Sequence, residues 1–404
     1  MMKYNKSIYI FTLNNLKKEG GAVLRIKGLI SLLSKSYDVK LLSNSATAGD
    51  EVNSIYLSCH FSKREKQTFQ LLITFLPVEL IYLLFKKKLS KLERLVRELN
   101  IRSEDELIFC EYLDNSIGYY LKKRRIIDHY VNDHHGVATI EFSQAQKNVV
   151  SRLKLWVAKI HDEHVLSFSD KHIFASKRMK EYYMENFTSY KNKDIRILPY
   201  YFSSKSYKED IDQCYINDFM LKIGFSSFSK LILFVGYFKP LGGVKDLVLA
   251  FSELSPIKEN LCLCLVGEGP EYESVNNLIL ELGLENNIVM PGRIDYKYLA
   301  SLQSISDVVV CPDKYNEYSD MIVHLKYYHS LLSNKPVVCG DFSSVEELNS
   351  SLRLSIPFKP SDVDSLSRAL KLALYEDFPL VQNTREYVLD NFSYENVSLS
   401  CEII

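Results

Sequence analysis

At 404 residues the chain exceeds what one hydrophobic core usually serves, so its length points to two domains of about 200 residues each. A content of 47% hydrophobic and 25% charged residues is that of a globular protein and excludes a disordered or collagen-like chain. Fifty basic residues against fifty acidic ones exclude a general nucleic-acid binder, which needs a cationic surplus to neutralise phosphates.

The chain starts MMKYNKS and runs directly into a strand-like SIYIFTL, with neither an apolar stretch of signal-peptide length nor a small-residue cleavage site. A cytoplasmic location is the expectation. The turn Lys18-Glu19-Gly20-Gly21 then leads into a helix over 21–33, where Val23, Ile26, Leu29 and Ile30 keep a helical period and Arg25 lies one turn in. Such a glycine pair is either a plain tight turn or a place where free amides at a helix start meet an anion. Further strands are expected near 38–42, 54–57, 107–110, 126–130, 172–174 and 195–198, with helices between them, the pattern of a parallel sheet covered by helices.

Residues 69–85, FQLLITFLPVELIYLLF, are apolar almost throughout and precede Lys86, Lys87 and Lys88. The run is at the lower limit for a bilayer span and carries Pro77 and Glu79 in its middle. It is either a core helix of the first domain or a monotopic surface whose lysines meet anionic lipid at the inner membrane. After the strand expected at 126–130 comes Tyr130-Val131-Asn132-Asp133-His134-His135-Gly136, with Glu141 close behind and a long helix expected over 141–164. Two histidines and an acid at the carboxyl end of a strand stand where open sheets bind ligands.

A polar stretch over 199–230 reads as the linker. A second alternating series follows, with strands at 231–235, 262–266, 288–290, 307–311, 336–339 and 354–357 and helices at 244–254, 271–282, 296–304, 321–333 and 344–348. Its first turn, Gly236-Tyr237-Phe238-Lys239-Pro240-Leu241-Gly242-Gly243, opens a helix and offers amides and Lys239 to a pyrophosphate. Farther on, Lys326 and His329 are three apart on one expected helix, close enough to share a face. The last helical run, 383–401, is expected to cross back to the first domain. The eight cysteines show no CxxC pair and no histidine at ligand spacing, so they read as reduced core thiols, and no metal site is expected.

In order, these segments resemble the GT4-like family of retaining glycosyltransferases over nearly the whole chain. The resemblance rests on GGAVLRIKGLISLLSKSYDVKLLS, on DHHG for that family's DxHG loop, on VGYFKPLGGVKDLVLAFSEL, on LCLVGEGPEYESVNNLILELGLENNIVMPGRI, and on Lys326 with the KPVV strand. It implies the GT-B architecture, two Rossmann-like open parallel-sheet domains facing across a cleft. Residues 1–200 would be the acceptor domain, 201–382 the nucleotide-sugar donor domain, and 383–404 the returning helix. By the same resemblance Gly20 and Gly21 would line the donor phosphate and sugar, His135 would contact the donor sugar with Asp133 beside it, and Arg25, His134 and Glu141 would face the acceptor. Tyr237, Lys239, Gly243, Gly267, Gly269, Arg293 and His329 would surround the donor, with Lys326 in a catalytic role. The sequence departs from the family where Tyr237 replaces an arginine, Gly242 a lysine, His329 a glutamate and Met321 an acid. The implied activity is hexosyl transfer with retention, from a nucleotide sugar to a lipid-linked intermediate of a bacterial surface polysaccharide, without metal or cofactor. The alternative is a catalytically silent relative acting in a polysaccharide assembly complex. A nicotinamide dehydrogenase would need GxGxxG in the first turn, which is missing.

Overall fold

The computed structural model describes residues 6–16, 21–43, 53–57, 61–110, 112–143, 148–204, 207, 210–224, 228–254, 260–349, 352–376, 378, 381 and 383–397. The chain forms two compact units, one running to Tyr201 and taking in the stretch from Val397, the other Phe202–Asn396.

In the first unit the strands are β1 (Ser7–Thr12), β2 (Asp38–Ser43), β3 (Asn53–Tyr56), β4 (Glu106–Cys110), β5 (Val131–Asp133), β6 (Lys171–Phe174) and β7 (Asp194–Ile197), ordered β3-β2-β1-β4-β5-β6-β7. The second unit has β8 (Lys230–Val235), β9 (Leu261–Val266), β10 (Ile288–Gly292), β11 (Val308–Cys311), β12 (Val337–Gly340) and β13 (Ile356–Phe358), ordered β10-β9-β8-β11-β12-β13. Every named pair in both sheets is parallel. Strands covered by helices on both faces become continuous apolar runs, which is why β9 reads LCLCLV and is buried at all six positions. In each sheet the strand order reverses once, between β1 and β4 and between β8 and β11. Loops leaving the carboxyl ends of the two strands at such a reversal diverge and leave a crevice for a ligand.

Several sequence expectations shift. The strand expected at 126–130 lies instead at Val131–Asp133, because the ladder with β4 begins only at Ile108 opposite Val131. Ile127 and Tyr130 are buried as core packing, not as strand partners. The long helix over 141–164 is broken into Ala138–Ser143 and Val149–Ile160, the second started by Asn148, whose side chain accepts from the Ser151 amide at 2.8 Å. A π-helical turn follows at His161–Val165. The polar stretch after 199 contains a helix, Gln213–Lys222, capped by Asp212, and a further helix, Val363–Tyr375, starts at Asp362. Residues 321–333 divide into Glu317–Met321 and Leu325–Leu331 because Ile322 is extended. The last helix, Thr384–Phe392, stops short of 401 and packs within the second unit: Thr384 donates to the Leu331 carbonyl at 3.2 Å, and Phe392 lies 5.2 Å from the Tyr328 ring.

Residues 69–85 are not one helix. A helix Lys63–Leu72 begins with a capping box between Ser62 and Glu65, Pro77 bars continuation, and Val78–Leu84 and Lys86–Glu98 follow. Phe69, Ile73, Val78 and Ile81 enter the core, whereas Leu71, Leu80, Leu83 and Leu84 stay exposed, so the segment is core on one side and surface on the other. Among the described residues no helix is long and apolar enough to cross a membrane. Five of the six described cysteines are buried; Cys214 is exposed, contrary to the reading of all as core thiols, while Cys59 and Cys401 lie outside the described residues.

Candidate active site

In the first unit the helix Gly21–Leu33 follows β1 and presents Arg25 one turn from its start. The guanidinium is buried and grips Asp133 at the end of β5, with Nη2 to Oδ1 at 2.7 Å and Nε to Oδ2 at 3.1 Å. Its Nη1 donates to the carbonyls of Leu198 and Pro199 at 2.7 and 2.9 Å. Burial alone would raise the Asp133 carboxyl, but the charges of Arg25 and His135 outweigh it and hold Asp133 well below the usual carboxylate range. Burial likewise opposes the charge on Arg25, and Asp133 overcomes it.

Asp133, acceptor-only when ionised, takes a hydrogen bond from Nε2 of His135. That fixes the imidazole and leaves its Nδ1 buried without a partner. The Tyr200 hydroxyl donates to the His135 carbonyl at 3.0 Å and steadies the loop. Cys110, at the end of β4, has its Sγ within 4.8 Å of ligand atoms of Asp133 and His135, a donor set of the kind that can hold a metal ion. It fits a cation poorly, since Arg25 already supplies the positive charge against Asp133.

Two of the residues expected at the acceptor, Arg25 and His134, are buried in contacts of their own. Arg25 is spent on Asp133 and main-chain carbonyls, 4% exposed. His134 points to the opposite side of the strand end, 4.6 Å from the Phe174 ring and hydrogen-bonded to His172 at 3.0 Å, and burial lowers its imidazole to about 3. The side chain of Glu141 and the whole of Lys18, Glu19 and Gly20 lie outside the described residues, and Gly21 is described only as the start of its helix. The hub role of Asp133 and the approach of Cys110 were missed, and no local spacing signals either.

In the second unit the loops after β8 and β11 meet at the strand reversal. Pro240–Gly242 form a 3₁₀ turn, and Gly243, at φ +70°, starts the helix Val244–Ser252. Only glycine fits there: a Cβ would lie 1.7 Å from the Pro312 carbonyl oxygen. The Lys314 amide donates to the Leu241 carbonyl at 3.1 Å, and the Lys314 ammonium pairs with Asp246 at 2.7 Å, locking the two loops. Gly267 and Gly269, at φ +145° and +152°, bring the β9 loop against the β8 loop, where a Cβ would lie 1.8 Å from the Gly236 oxygen and 2.4 Å from the Phe238 oxygen. Their evident role is close backbone packing.

Lys326 turns inward to this junction. Its Nζ is 2.5 Å from Asp313 Oδ2 and 5.7 Å from the Phe234 ring centroid. Asp313 adjoins Gly243, where a Cβ would stand 3.4 Å from the Asp313 amide. Burial opposes the Lys326 charge, and Asp313 more than restores it, leaving the ammonium above its ordinary range. Lys239 lies in the same field: burial first, then Lys326 and Lys239, bring His324 down to about 4 against the pull of Asp313. Among the described residues Lys239 has no ion-pair partner, and Tyr237 is 60% exposed. His329 does not join Lys326. It meets the Tyr296 hydroxyl at 3.1 Å and packs by Phe202 and Tyr207, where burial lowers it to about 4, which corrects the expectation that both face one ligand. Arg293 is an exposed rim residue, 3.5 Å from Glu268.

Residues 217–389 match the family described as Glycosyl transferases group 1. Among curated relatives, an uncharacterized glycosyltransferase of Methanocaldococcus jannaschii is 25% identical over 185 residues, 45% of this chain and 46% of its own length. The alpha-D-kanosaminyltransferase of Streptomyces kanamyceticus is 25% identical over 144 residues, 35% of this chain and 36% of its own. The matched stretch thus spans less than half of these relatives. The crystal structure of Anabaena HepE in complex with UDP shares the fold across 97% of both chains, with a TM-score of 0.64 and 14% identity. The chain therefore has the two-sheet GT-B fold, and within its second unit residues 217–389 carry the sequence signature of the group 1 glycosyl transferases.

Proposed function

We propose that the protein is a retaining glycosyltransferase that moves a hexosyl group from a nucleotide sugar to a lipid-linked intermediate of a bacterial surface polysaccharide, at the cytoplasmic face of the inner membrane. What carries the proposal is the junction of the β8 and β11 loops, where the start of helix Val244–Ser252, Lys239, which has no ion-pair partner among the described residues, and the inward-turned Lys326 gather donors and positive charge suited to an anion. A departing nucleoside diphosphate is such an anion. Donors fixed before the reaction stabilise its developing charge without reorganising, and positioning supplies much of the rest. In the first unit His135 acts on the transferred sugar with its ring held by Asp133, a positioning residue, and Gly20 and Gly21 approach the donor. Arg293 and the Gly267–Gly269 turn flank the nucleobase. Leaving-group charge is assigned to these groups and not to a metal ion, so turnover should persist in EDTA. Residues 69–88 supply the peripheral contact with the membrane.

A thermal-shift screen of nucleotides and nucleotide sugars, beginning with UDP by analogy with the complex of HepE, tests the donor site, since a ligand that binds only the folded state raises its melting temperature. NMR of the product anomer then tests retention. A second reading, a silent relative, is favoured by one observation: Asp313 already neutralises Lys326, and Tyr237 offers no positive charge. Stabilisation by a nucleotide sugar without transfer or hydrolysis would select it, and absence of any stabilisation would remove the donor site itself.

A further inference from the structure

The first unit leaves an apolar surface uncovered. Helix Val149–Ile160 turns Ser151, Val157 and Ala158 inward, while Val149, Val150, Leu153 and Trp156 stand 81, 52, 42 and 57% exposed. Val149, Leu153 and Trp156 recur at i, i+4 and i+7, so they form one outward stripe. Arg152, Lys154 and Lys159 accompany the stripe, and no acidic residue occurs between Asn148 and His161. The surface does not stop at this helix. Lys154 Nζ lies 5.0 Å from the Phe75 ring, and a recess of about 270 Å³ lined mainly by apolar side chains, Leu76, Val78, Trp156 and Ile160 among them, with Glu79 and His164 also on its wall, joins it to the helix Val78–Leu84. That helix exposes Leu80, Leu83 and Leu84, and the next one opens with exposed Lys86 and Lys87.

We infer that helix Val149–Ile160 is the element by which the first unit enters the headgroup region of an anionic bilayer, with Trp156 as its interfacial anchor. The inference rests on the membrane contact proposed for residues 69–88 and adds a second, separately testable element to it. Charge decides the occupant. A helix with an apolar stripe, flanking cations and no acids complements anionic lipid, and tryptophan, apolar in body with one polar N–H, suits the boundary between headgroups and chains. A second copy seated on the same face would set cation against cation. The recess beside Trp156 gives hydrocarbon a place to enter.

The chain has a single tryptophan, so its fluorescence reports on this helix alone. The full-length protein should be mixed with vesicles of phosphatidylglycerol and phosphatidylethanolamine, and with vesicles of phosphatidylcholine only. The expected result is a blue-shifted emission, shielded from aqueous iodide and quenched by acyl-brominated lipid, with the anionic vesicles and not the neutral ones. Replacing Arg152, Lys154 and Lys159 together with Gln should weaken vesicle binding more than about tenfold, with the melting temperature little changed because Arg152 and Lys159 are exposed and Lys154 is half-buried. Sedimentation with anionic vesicles while Trp156 emission stays unchanged would overturn the inference and leave the contact at 69–88 standing. No sedimentation at low salt would overturn both. An emission shift that follows protein concentration without vesicles would assign the face to a second copy and overturn it too.

Discussion

Replacing Lys326 with Met and replacing Asp313 with Asn should move donor affinity in opposite directions, because the two side chains form one pair at the β8–β11 junction. Nζ and Oδ2 are 2.5 Å apart, with the carboxylate 4% exposed and the lysine 25%. A phosphate oxygen about 4 Å from the ammonium gains about 4 kcal/mol at an effective dielectric near 20, and a carboxylate about 7 Å from that phosphate returns about 2 kcal/mol of repulsion. Lys326→Met deletes the attraction and keeps the repulsion, so nucleotide-sugar binding should weaken at least about tenfold, or about 1.4 kcal/mol. Asp313→Asn keeps the attraction and removes the repulsion, so binding should tighten by up to about thirtyfold. The single Met variant also strands a buried carboxylate, a loss on the order of 3–5 kcal/mol of stability. The double variant removes both charges, and it should melt close to wild type while binding donor between the two single variants. Titration calorimetry at low and high salt measures all four proteins, and the spread among them should shrink as salt screens the partly exposed site. Equal donor affinity in both single variants, with folding intact, would refute the assignment of Lys326 to the leaving group.

His135→Ala should lower transfer by well over about tenfold with circular dichroism unchanged; activity within about threefold of wild type, a barrier change under roughly 0.7 kcal/mol, would end its assignment to the sugar. Gly243→Ala should destabilise the second unit and abolish nucleotide-induced stabilisation, since its Cβ would collide with the Pro312 carbonyl; a melting temperature and nucleotide shift equal to wild type would show that the junction yields easily. Asp162 is fully buried, and burial raises its carboxyl from 3.8 to about 8 against a hydrogen bond with Thr139. The folded state therefore holds a proton that the unfolded chain has released, and stability falls as pH rises between those values, by about 1.4 kcal/mol per pH unit. Asp162→Asn should consequently gain melting temperature over wild type by an amount that grows from pH 5 to pH 8, and a constant difference would contradict the buried, protonated acid.

The fold was legible in the sequence where burial on both faces writes itself as an apolar run, as in SIYIFT and LCLCLV, and where a strand–glycine–helix pattern marks a crowded turn, as at Gly243. It was misread where apolar residues serve the core outside a ladder, as at Ile127 and Tyr130, and where a capping residue starts a helix inside polar sequence, as at Asp212. The pairings that make the site were out of reach for a physical reason: Arg25 and Asp133 are 108 positions apart, and only the strand order of the sheet brings them together. His134 is a different kind of miss. Along extended backbone successive side chains alternate faces, so an acid and a histidine two apart at a strand end share one face, and the residue between them takes the other. Asp133 and His135 do so in hydrogen-bonding, and His134 stacks on Phe174 in the core. Reading period two through the DHHG loop would have separated the histidine paired with Asp133 from a core histidine without coordinates. The same reasoning fails for Lys326 and His329, because helical spacing brings residues three apart near each other but does not fix which way each long side chain turns; Asp313 drew one and Tyr296 the other.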